Sequence, residues 1–454
     1  MNQKSEWITA VAADGEGRIF DLPGYAAVGM AGEQMAPLTT AQVIGLPFGS
    51  ELLFLPDRQP VVFNLQSGRL EVLEDNPLEP GGPVYPVAAF NSPGHVITAV
   101  SAYRERRRPQ PLPLFSFGAV GWHRGRFRSA AVRVDFEPRQ DLRRMPLPQV
   151  RAGVRALRRR MPENRLRRHL ETCALHYGCP AGKNFFLGRY EAPLPTAVAC
   201  NARCRGCLSL QTKSGVSCTQ ERIAFTPTPE EIAEAALFHI ERVRRAVVSF
   251  GQGCEGEPLT AARVIEPAIR MIRSRTGRGT INLNTNAGMP AALGRLCAAG
   301  LDSIRVSMNS ARRQCYDAYF RPRGYGFSDV LRSIDTALSQ GKFVSINYLN
   351  CPGFTDTEEE AAALLAFLRR HPIHMIQWRN LNYDPVLYWK AMGKAAPLTA
   401  PMGMQVLIDR IRREVPDLKF GYFNPPKEKW DKKRFTVHGE LVSRDSKEVK
   451  TASQ

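Results

Sequence analysis

The chain has 454 residues, which exceeds one ordinary domain and predicts two or three domains. Its 43% hydrophobic and 23% charged residues are typical of a globular protein that buries a large core without disulfide bonds. The first residues lack the basic start and apolar run of a signal peptide, and no stretch approaches the ~18 apolar residues of a membrane helix, so we expect a cytoplasmic protein without a membrane partner.

The formal net charge is +19, and much of the excess lies between Arg104 and Arg168. A basic stripe can be the footprint of a nucleic-acid partner, so an RNA-modifying enzyme is one alternative. Because no RNA-binding motif accompanies the charge, we favour a solvated helical face, and RNA is not the favoured partner.

Residues 1–145 are predicted to form a small β-rich domain of unknown role. Apolar runs at 61–65 and 69–73 flank a Ser-Gly turn, and two further runs flank residues 123–125 in the same manner, as in β-hairpins. The position of this domain before the first strand of the next suggests that it caps that domain or docks a partner.

Residues 146–190 are predicted to form a basic helical linker. This segment contains Cys173 and Cys179, which could be half of a second metal site. Since no partner pair is evident, we favour two buried structural thiols.

Residues 191–400 alternate between strand-like and helix-like runs. The strand-like runs are 195–199, 246–250, 281–285, 303–308, 343–349 and 374–381. Two of the helices begin with predicted capping boxes, Thr228 with Glu231 and Thr357 with Glu360. Six β-then-α units predict a parallel sheet with right-handed crossovers. The predicted fold class is α/β, a partial (β/α)6 barrel preceded by the β-rich domain, and a doubly wound sheet is the alternative.

The predicted strands have one apolar and one polar face. Asn282 and Asn284 alternate with Ile281 and Leu283, and three other strands repeat the pattern. A parallel sheet covered on both faces would be nearly all apolar. Because buried polar groups need partners, a barrel whose lumen holds a polar ligand explains the alternation.

Residues 401–454 are predicted to contain one more amphipathic helix, a short strand at 418–423 and a charged, flexible tail.

Three of the ten cysteines, Cys200, Cys204 and Cys207, follow directly on the first predicted strand. Loops at the carboxyl ends of strands form the active face of β/α barrels. Thiolates select soft metals and iron–sulfur clusters. A cubane of four irons held by three thiolates has one iron without a protein ligand, and that iron is open to chemistry, as a catalytic zinc is.

This three-cysteine spacing after the first strand resembles the signature of the radical S-adenosylmethionine (SAM) superfamily. The resemblance implies an enzyme with two cofactors, a [4Fe-4S] cluster bound by Cys200, Cys204 and Cys207, and SAM. In that family the reduced cluster cleaves SAM to a 5′-deoxyadenosyl radical, which abstracts hydrogen from the substrate. The resemblance also implies a small electron donor of the flavodoxin or ferredoxin type. Neither the substrate nor any catalytic residue can be identified from the sequence.

Three further motifs extend the resemblance, and a fourth supplies polar residues to the predicted lumen. The run 250–259 resembles the family's Gly-Gly-Glu-Pro element, which holds the amino group of SAM. The fourth strand ends in residues resembling the family's ribose-binding element, and the turn after the fifth resembles the one that lines adenine. The third strand ends in polar residues without a firm family match. The predicted cofactor contacts are Gly256, Glu257, Asn284, Asn286, Ser307, Asn309 and Gly353.

The sequence also departs from the family pattern. Gly206 stands where an aromatic residue is usual, and Glu255 replaces the first glycine of the Gly-Gly-Glu-Pro element. A fourth thiol, Cys218, would close the site and turn the protein into a non-enzymatic zinc or iron–sulfur protein, but we favour an ordinary thiol there. No cysteine-rich extension follows Cys351, which argues against a peptide maturase.

Overall fold

An antiparallel N-terminal region and a parallel C-terminal region make up the computed structural model, which describes residues 6–211 and 215–430. The predicted flexible tail lies outside the described residues from residue 431 onward. None of the helices in the two described ranges is both long enough and apolar enough to cross a bilayer.

The N-terminal region contains fourteen strands, and twelve of them form one antiparallel sheet. Both predicted hairpins are present: β6 pairs with β7 across Gly68, which has a φ of +65°, and β12 pairs with β13. Glycine suits that turn because its backbone enters the left-handed region without a steric cost. The strands are β1 (Thr9–Ala13), β2 (Ile19–Ala31), β3 (Gln34–Pro37), β4 (Ile44–Gly45), β5 (Glu51–Phe54), β6 (Arg58–Asn64), β7 (Arg69–Val72), β8 (Tyr85–Phe90), β9 (His95–Ile97), β10 (Val100–Ser101), β11 (Tyr103–Glu105), β12 (Val120–His123), β13 (Arg126–Ser129) and β14 (Ala131–Arg133).

Three helices connect the two regions, α1 (Leu147–Arg160), α2 (Arg165–Leu175) and α3 (Pro180–Leu187). Their apolar faces belong to the same buried core as the parallel sheet, so the segment packs on that sheet along its length. Seven of the eight arginines in these helices are exposed, and three of those seven pair with carboxylates, such as Arg165 with Glu231 at 2.7 Å.

Seven parallel strands in sequential order form the second sheet, and the predicted α/β partial barrel is confirmed. The seventh strand extends the sheet beyond the six predicted units, because the predicted strand at 418–423 pairs with its neighbour along residues 375–377. The strands are β15 (Glu191–Pro193), β16 (Val247–Phe250), β17 (Thr280–Thr285), β18 (Ser303–Met308), β19 (Phe343–Asn350), β20 (Met375–Asn380) and β21 (Lys419–Gly421).

The first strand of the barrel was predicted at 195–199, and this prediction is wrong. The strand is β15, which ends at Pro193. Pro195 has no amide hydrogen to donate to a ladder. The amides of Thr196 and Ala197 instead donate to the Glu255 carboxylate, at 2.8 and 2.9 Å.

Helices cover the outer face of the parallel sheet. The capping box at Thr228 and Glu231 is confirmed. The one predicted at Thr357 and Glu360 is wrong, because the buried Glu360 carboxylate accepts from Ser310 at 2.9 Å instead. The helices are α4 (Pro229–Arg242), α5 (Ala262–Arg275), α6 (Pro290–Ala299), α7 (Arg313–Phe320), α8 (Phe327–Ser339), α9 (Glu358–Arg370), α10 (Pro385–Ala395) and α11 (Met404–Glu414).

The N-terminal region is bound to the carboxyl ends of the parallel strands. Asn350, which ends β19, donates to the Ile97 carbonyl at 2.8 Å. Asn380, which ends β20, accepts from the Ile97 amide and donates to the His95 carbonyl, both at 3.0 Å. These side chains fasten β9 over one side of the barrel mouth.

Candidate functional site

A cavity of about 490 Å³ opens at the carboxyl ends of the parallel strands. This volume is within the ~300–1,000 Å³ typical of small-molecule sites. Eight of the ten residues predicted to bind metal or cofactor line it. They are Cys200, Cys204, Cys207, Gly256, Glu257, Asn284, Asn286 and Ser307.

The three cysteines at the cavity, hereafter the cysteine triad, lie in a loop of residues 200–207 that is docked on the C-terminal end of α7. The amides of Arg203 and Arg205 donate to the carbonyls of Phe320 and Tyr319, at 3.0 and 3.1 Å. The backbone of the loop is therefore fixed by hydrogen bonds to α7, and the three cysteines line the cavity.

The three sulfur atoms of the triad do not all lie within 4.8 Å of one another. Among the described residues, a different group of three potential ligand atoms does lie within 4.8 Å of one another, and it is described below. A single zinc ion would hold three sulfurs at ~3.8 Å from each other, given a bond length of ~2.3 Å. A cubane separates its ligands by its own iron atoms, so the wider spacing fits an iron–sulfur cluster.

Burial disfavours free thiolates at the triad. It raises the pKa of Cys204 well above the usual range, and the neighbouring Cys200 and Cys207 add to that shift. Burial also raises the pKa of Cys200. The positive charge of a metal would offset this cost, since a coordinating thiol is deprotonated by the metal.

Tyr319 occupies the space that an aromatic residue before the third cysteine would fill. A Cβ atom added to Gly206 would lie 2.8 Å from the Tyr319 hydroxyl and 2.9 Å from the Asn382 carbonyl. Tyr319 lines the cavity beside the triad and is almost fully buried. The aromatic side chain beside the triad therefore comes from α7 rather than from the loop. Sequence reasoning missed Tyr319 because nothing in α7 identifies which face meets the loop.

Glu255 fastens the motif loop, residues 251–257, to the chain before the triad. Its buried carboxylate accepts from the amides of Thr196, Ala197, Gly251 and Gln252 at 2.7–2.9 Å. This acidic residue, which stands where the family has glycine, is thus a backbone anchor whose four donors compensate for its burial.

Gly256 lies where two backbone segments meet. Its amide donates to the Ala197 carbonyl at 2.6 Å, and a Cβ atom would lie 1.9 Å from the Ala199 carbonyl oxygen. Only glycine allows this approach. The contact joins the motif loop to the residue that precedes Cys200.

Glu257 keeps one acceptor position for a ligand. One carboxylate oxygen accepts from the Thr285 hydroxyl and the Leu259 amide, and the other accepts from the Asn286 amide at 2.7 Å. A carboxylate has about four acceptor positions, so one is left at a group that lines the cavity. Burial raises the pKa of Glu257 to about 7, against the lowering effect of these bonds.

The other predicted contacts fall into two sets. Asn284 and Asn286 line the cavity, but their amides are bonded to Gly251 and Asn201, so they brace its walls. Asn309 does not reach the cavity lining, because its amide is buried against the Tyr388 hydroxyl at 3.1 Å.

Gly353 also lies away from the cavity lining. Its backbone, with a φ of +86°, is pressed against the β2–β3 turn of the N-terminal region. A Cβ atom there would lie 1.9 Å from the Gly32 amide nitrogen. The structure gives this glycine an interdomain contact.

The polar faces of the strands meet in a hydrogen-bonded network that fills the barrel lumen. Asn424 donates to Glu191 at 2.8 Å and to Ser249 at 3.3 Å, and accepts from Gln377 at 3.0 Å. Gln377 in turn accepts from Arg305 at 3.0 Å. The predicted polar lumen is therefore present, and its groups largely satisfy one another.

One arginine and one asparagine bring unpartnered polar atoms to the cavity, and a second arginine adds positive charge. Arg305 and Arg379 line it, and the buried Nε of Arg305 has no partner among the described residues. Burial lowers the pKa of Arg305 to about 9, so it remains protonated near neutrality. Asn347, beside Ser307 in register, has an unpaired buried Oδ1. The alternation of the strands indicated these positions, but not their roles.

A second group of ligand-type side chains is buried behind the motif loop. The Cys173 sulfur lies 3.5 Å from His169 Nε2, and both atoms lie within 4.8 Å of the Cys254 sulfur. A hydrogen bond from Cys254, and then His169, lower the pKa of Cys173 to about 5. Cys179 is outside this group, and Cys218 is exposed and lines another depression beside Tyr177.

Comparison with known proteins covers part of the chain. Residues 194–365 match the model of the radical SAM superfamily. Molybdenum cofactor biosynthesis protein 1 of Mus musculus is 30% identical over 48% of this chain and 31% of its own length. GTP 3′,8-cyclase of Heliobacterium modesticaldum is 28% identical over 39% of this chain and 50% of its own length. The chain thus spans 31% of the length of the first relative and 50% of the second.

Two solved structures are similar to part of the chain. A radical SAM methyltransferase from Sphaerobacter thermophilus is 18% identical, with a TM-score of 0.37, over 51% of this chain and 66% of its own. Streptococcus suis SuiB bound to S-adenosylmethionine is 14% identical, with a TM-score of 0.35, over 52% of this chain and 50% of its own.

Proposed function

Because residues 194–365 form a radical SAM domain, we propose that this protein is an enzyme that cleaves S-adenosylmethionine reductively at the cavity of the cysteine triad. The cofactors in this proposal are a [4Fe-4S] cluster on Cys200, Cys204 and Cys207, and SAM. When bound, they supply a 5′-deoxyadenosyl radical that takes a hydrogen atom from the substrate, while the protein supplies binding, orientation and exclusion of water. An external one-electron donor of the flavodoxin or ferredoxin type is part of the proposal.

The observation that carries the proposal is the convergence of two separate segments, the triad loop and the motif loop, on one cavity. The triad offers its three sulfurs, Gly256 offers a close backbone approach, and Glu257 offers a free acceptor position. In the proposed complex Glu257 accepts from the ammonium of SAM, since a carboxylate and an ammonium make a charge-assisted bond. Ser307 and Asn347, side by side at the cavity, are the proposed contacts to hydroxyl groups.

The substrate is proposed to be a small polar molecule with an anionic group. Arg305 supports this, because its charged guanidinium lines the cavity with one buried N–H unpaired. Filling that position with an anionic oxygen would remove the cost of an unsatisfied buried donor. GTP is the first compound to test, since it is the substrate named for one relative and is itself anionic.

The N-terminal region is proposed to close the cavity from above. A second cavity, of about 650 Å³, shares Asn347 and Arg379 with the first and is also lined by Phe90 and Ser116 of the N-terminal region. A substrate that enters there would contact both regions, which is consistent with a cap rather than a separate docking module.

Anaerobic reconstitution with iron and sulfide tests the proposed function. On addition of dithionite and SAM, we expect 5′-deoxyadenosine and methionine, measured by liquid chromatography and mass spectrometry. Cys204→Ala should lower this product at least ~100-fold, because one of three cluster ligands is lost. The matched control, exposed Cys218→Ala, should retain it. A fully loaded cluster without any 5′-deoxyadenosine would overturn the proposal.

The substrate proposal has its own readout. Arg305→Gln should lower substrate-dependent turnover, while cleavage of SAM without substrate stays unchanged. If GTP does not raise 5′-deoxyadenosine formation above the substrate-free level in the wild-type protein, GTP is not the substrate, although the cleavage activity stands.

The alternative of RNA modification has less support. Arg158 is paired with Glu171, Arg165 with Glu231, and Arg168 with Glu163, so the basic helices are partly neutralised. RNA binding that falls steeply with salt would revive this alternative, since phosphate contacts release counterions.

A further inference from the structure

Outside the proposed cluster site, three side chains from two distant parts of the sequence converge on one buried point. His169 and Cys173 lie one turn apart on α2, so their side chains share a face of the helix. Cys254 comes from the motif loop after β16. Their ligand atoms all lie within 4.8 Å of one another. Within residues 6–211 and 215–430, no other group of three potential metal ligands meets this distance.

The spacing within this group is that of ligands around a single small ion. The Cys173 sulfur and His169 Nε2 are 3.5 Å apart. In a tetrahedral zinc site, a Zn–S bond of ~2.3 Å and a Zn–N bond of ~2.0 Å place sulfur and nitrogen ~3.5 Å apart. An iron–sulfur cubane would push the ligands much further apart, because its iron atoms lie between them.

The burial of the group also suits a structural ion. Cys173 is 2% exposed and Cys254 is 5% exposed. The ring of His169 is held edge-on against Phe225, and the Cys254 carbonyl accepts from the Ile223 amide at 2.8 Å. The ligands are therefore fixed by their surroundings before an ion arrives.

We propose that His169, Cys173 and Cys254 bind one Zn²⁺ ion, separate from the iron–sulfur cluster. These residues supply two thiolates and one imidazole, the ligand types that zinc prefers. The fold defines three of the four positions of a tetrahedral site.

Such an ion would tie the N-terminal helices to the motif loop of the active site. Cys254 directly precedes Glu255, whose carboxylate anchors the chain before the triad, and Gly256 and Glu257 follow at the cavity. The zinc would fix the position of this loop from behind without touching SAM or substrate. Its role would be to orient the cofactor site, as groups beyond the reacting atoms do in other metal sites.

Metal content of the full-length protein, purified anaerobically, tests the proposal. We expect one zinc ion per chain in the wild type and also in a triple variant, Cys200→Ala with Cys204→Ala and Cys207→Ala, which loses only its iron. Cys173→Ala should lower zinc at least tenfold. Cys297→Ala is the matched control, because this helical cysteine is also 2% exposed but has no such partners, and it should retain its zinc.

Cobalt provides a second readout that does not depend on enzyme activity. Co²⁺ added to the zinc-free triple variant should give intense thiolate-to-metal absorption, and His169→Ala should weaken or abolish it. The proposal is overturned if the triple variant contains neither zinc nor this absorption. Peptide mapping of unreduced protein that reveals a Cys173–Cys254 disulfide as the main species would also overturn it. Neither result bears on whether the wild-type protein cleaves SAM.

Discussion

The two cysteine sites of this protein differ in how far apart their ligand residues lie in the sequence and how far apart their ligand atoms lie in space. The triad comes from eight consecutive residues, yet its sulfurs do not all lie within 4.8 Å of one another. The buried group of His169, Cys173 and Cys254 comes from two distant segments, yet its ligand atoms lie together. Proximity in sequence therefore does not indicate whether a site suits one ion or a cluster; the distance between ligand atoms does.

The motif loop is common to both sites, since Cys254 lies at one and Gly256 and Glu257 lie at the other. If the sites are independent, a change at one end of the loop alters SAM binding without changing zinc content. The first two predictions test this separation directly.

Gly256→Ala should have the largest effect. The new Cβ would lie 1.9 Å from the Ala199 carbonyl oxygen, a backbone atom that cannot move without the loop. We expect a loss of stability of about 3 kcal/mol and SAM binding at least ~10-fold weaker, measured by thermal unfolding and calorimetry. Gly277→Ala, with no atom within 4 Å of the new Cβ, is the control and should change stability by less than about 0.5 kcal/mol.

The zinc content of Gly256→Ala sharpens the comparison. Retained zinc would mean that the loop bends between Cys254 and Gly256 and that the two sites are structurally independent. Loss of zinc together with SAM binding would contradict that separation.

Glu257→Gln should weaken SAM binding by about ten- to a hundredfold. The amide keeps the shape of the side chain but loses the charge that would accept from an ammonium, and such bonds contribute about 1.5–3 kcal/mol. Because the pKa of Glu257 is raised to about 7, wild-type affinity should be highest near pH 8, where the carboxylate is ionised, and should fall as the pH decreases through 7 and the carboxylate protonates. Calorimetry between pH 6 and 8 measures this, and a Gln variant with the same pH dependence would refute the assignment.

Arg222→Met should have a moderate effect, confined to the triad. Arg222 Nη2 lies 3.6 Å from the Cys207 sulfur and donates to it. Such donors favour the more negative, reduced cluster, so their removal should lower the reduction potential. A contribution of about 1 kcal/mol corresponds to about 40 mV for one electron. Arg203→Met removes an exposed arginine of the triad loop and is the control. An equal shift of the reduction potential in this variant would show that the loss of positive charge, and not the hydrogen bond to Cys207, causes the change.

The fold and the triad were predictable from the sequence because their signals are local. Strand alternation revealed the polar lumen, and the cysteine spacing revealed the cluster loop. Contacts between segments that are distant in the sequence could not be predicted from the sequence. Glu360 has the spacing of a capping residue, but its buried carboxylate accepts a hydrogen bond from Ser310. Pro195 lies in a segment predicted to be a strand, but the next amide, that of Thr196, donates to Glu255 instead of to a neighbouring strand.

The same limit explains the site residues that lie elsewhere. Asn309 and Gly353 occupy motif-like positions, but tertiary packing assigns one to Tyr388 and the other to the N-terminal region. Tyr319 and the pairing of Cys254 with α2 could be found only once the helices were in place. A local pattern can identify a ligand type; it cannot say what the rest of the chain puts beside it.

His239 offers the smallest prediction and contrasts with His169, since it is a buried histidine without thiol neighbours. Its Nε2 donates to the Tyr190 carbonyl at 3.3 Å, and its buried Nδ1 has no partner among the described residues. Burial lowers its pKa to about 3, from 6.5. The folded state therefore keeps the ring neutral, and the associated stability is fully present above pH 6.5 and is lost as the pH falls from there towards 3.

His239→Gln, which keeps a donor but cannot titrate, should remove this contribution. Denaturant titrations between pH 7 and 5 should show that the wild type loses up to about 1.4 kcal/mol more per pH unit than the variant. The exposed His176→Gln is the control and should follow the wild type. Parallel curves for wild type and His239→Gln would mean that protonation finds an acceptor near Nδ1. A histidine can then stay buried in this core without a metal. In that case, the two thiol neighbours of His169 would be the only feature that marks it, and not His239, as a zinc ligand.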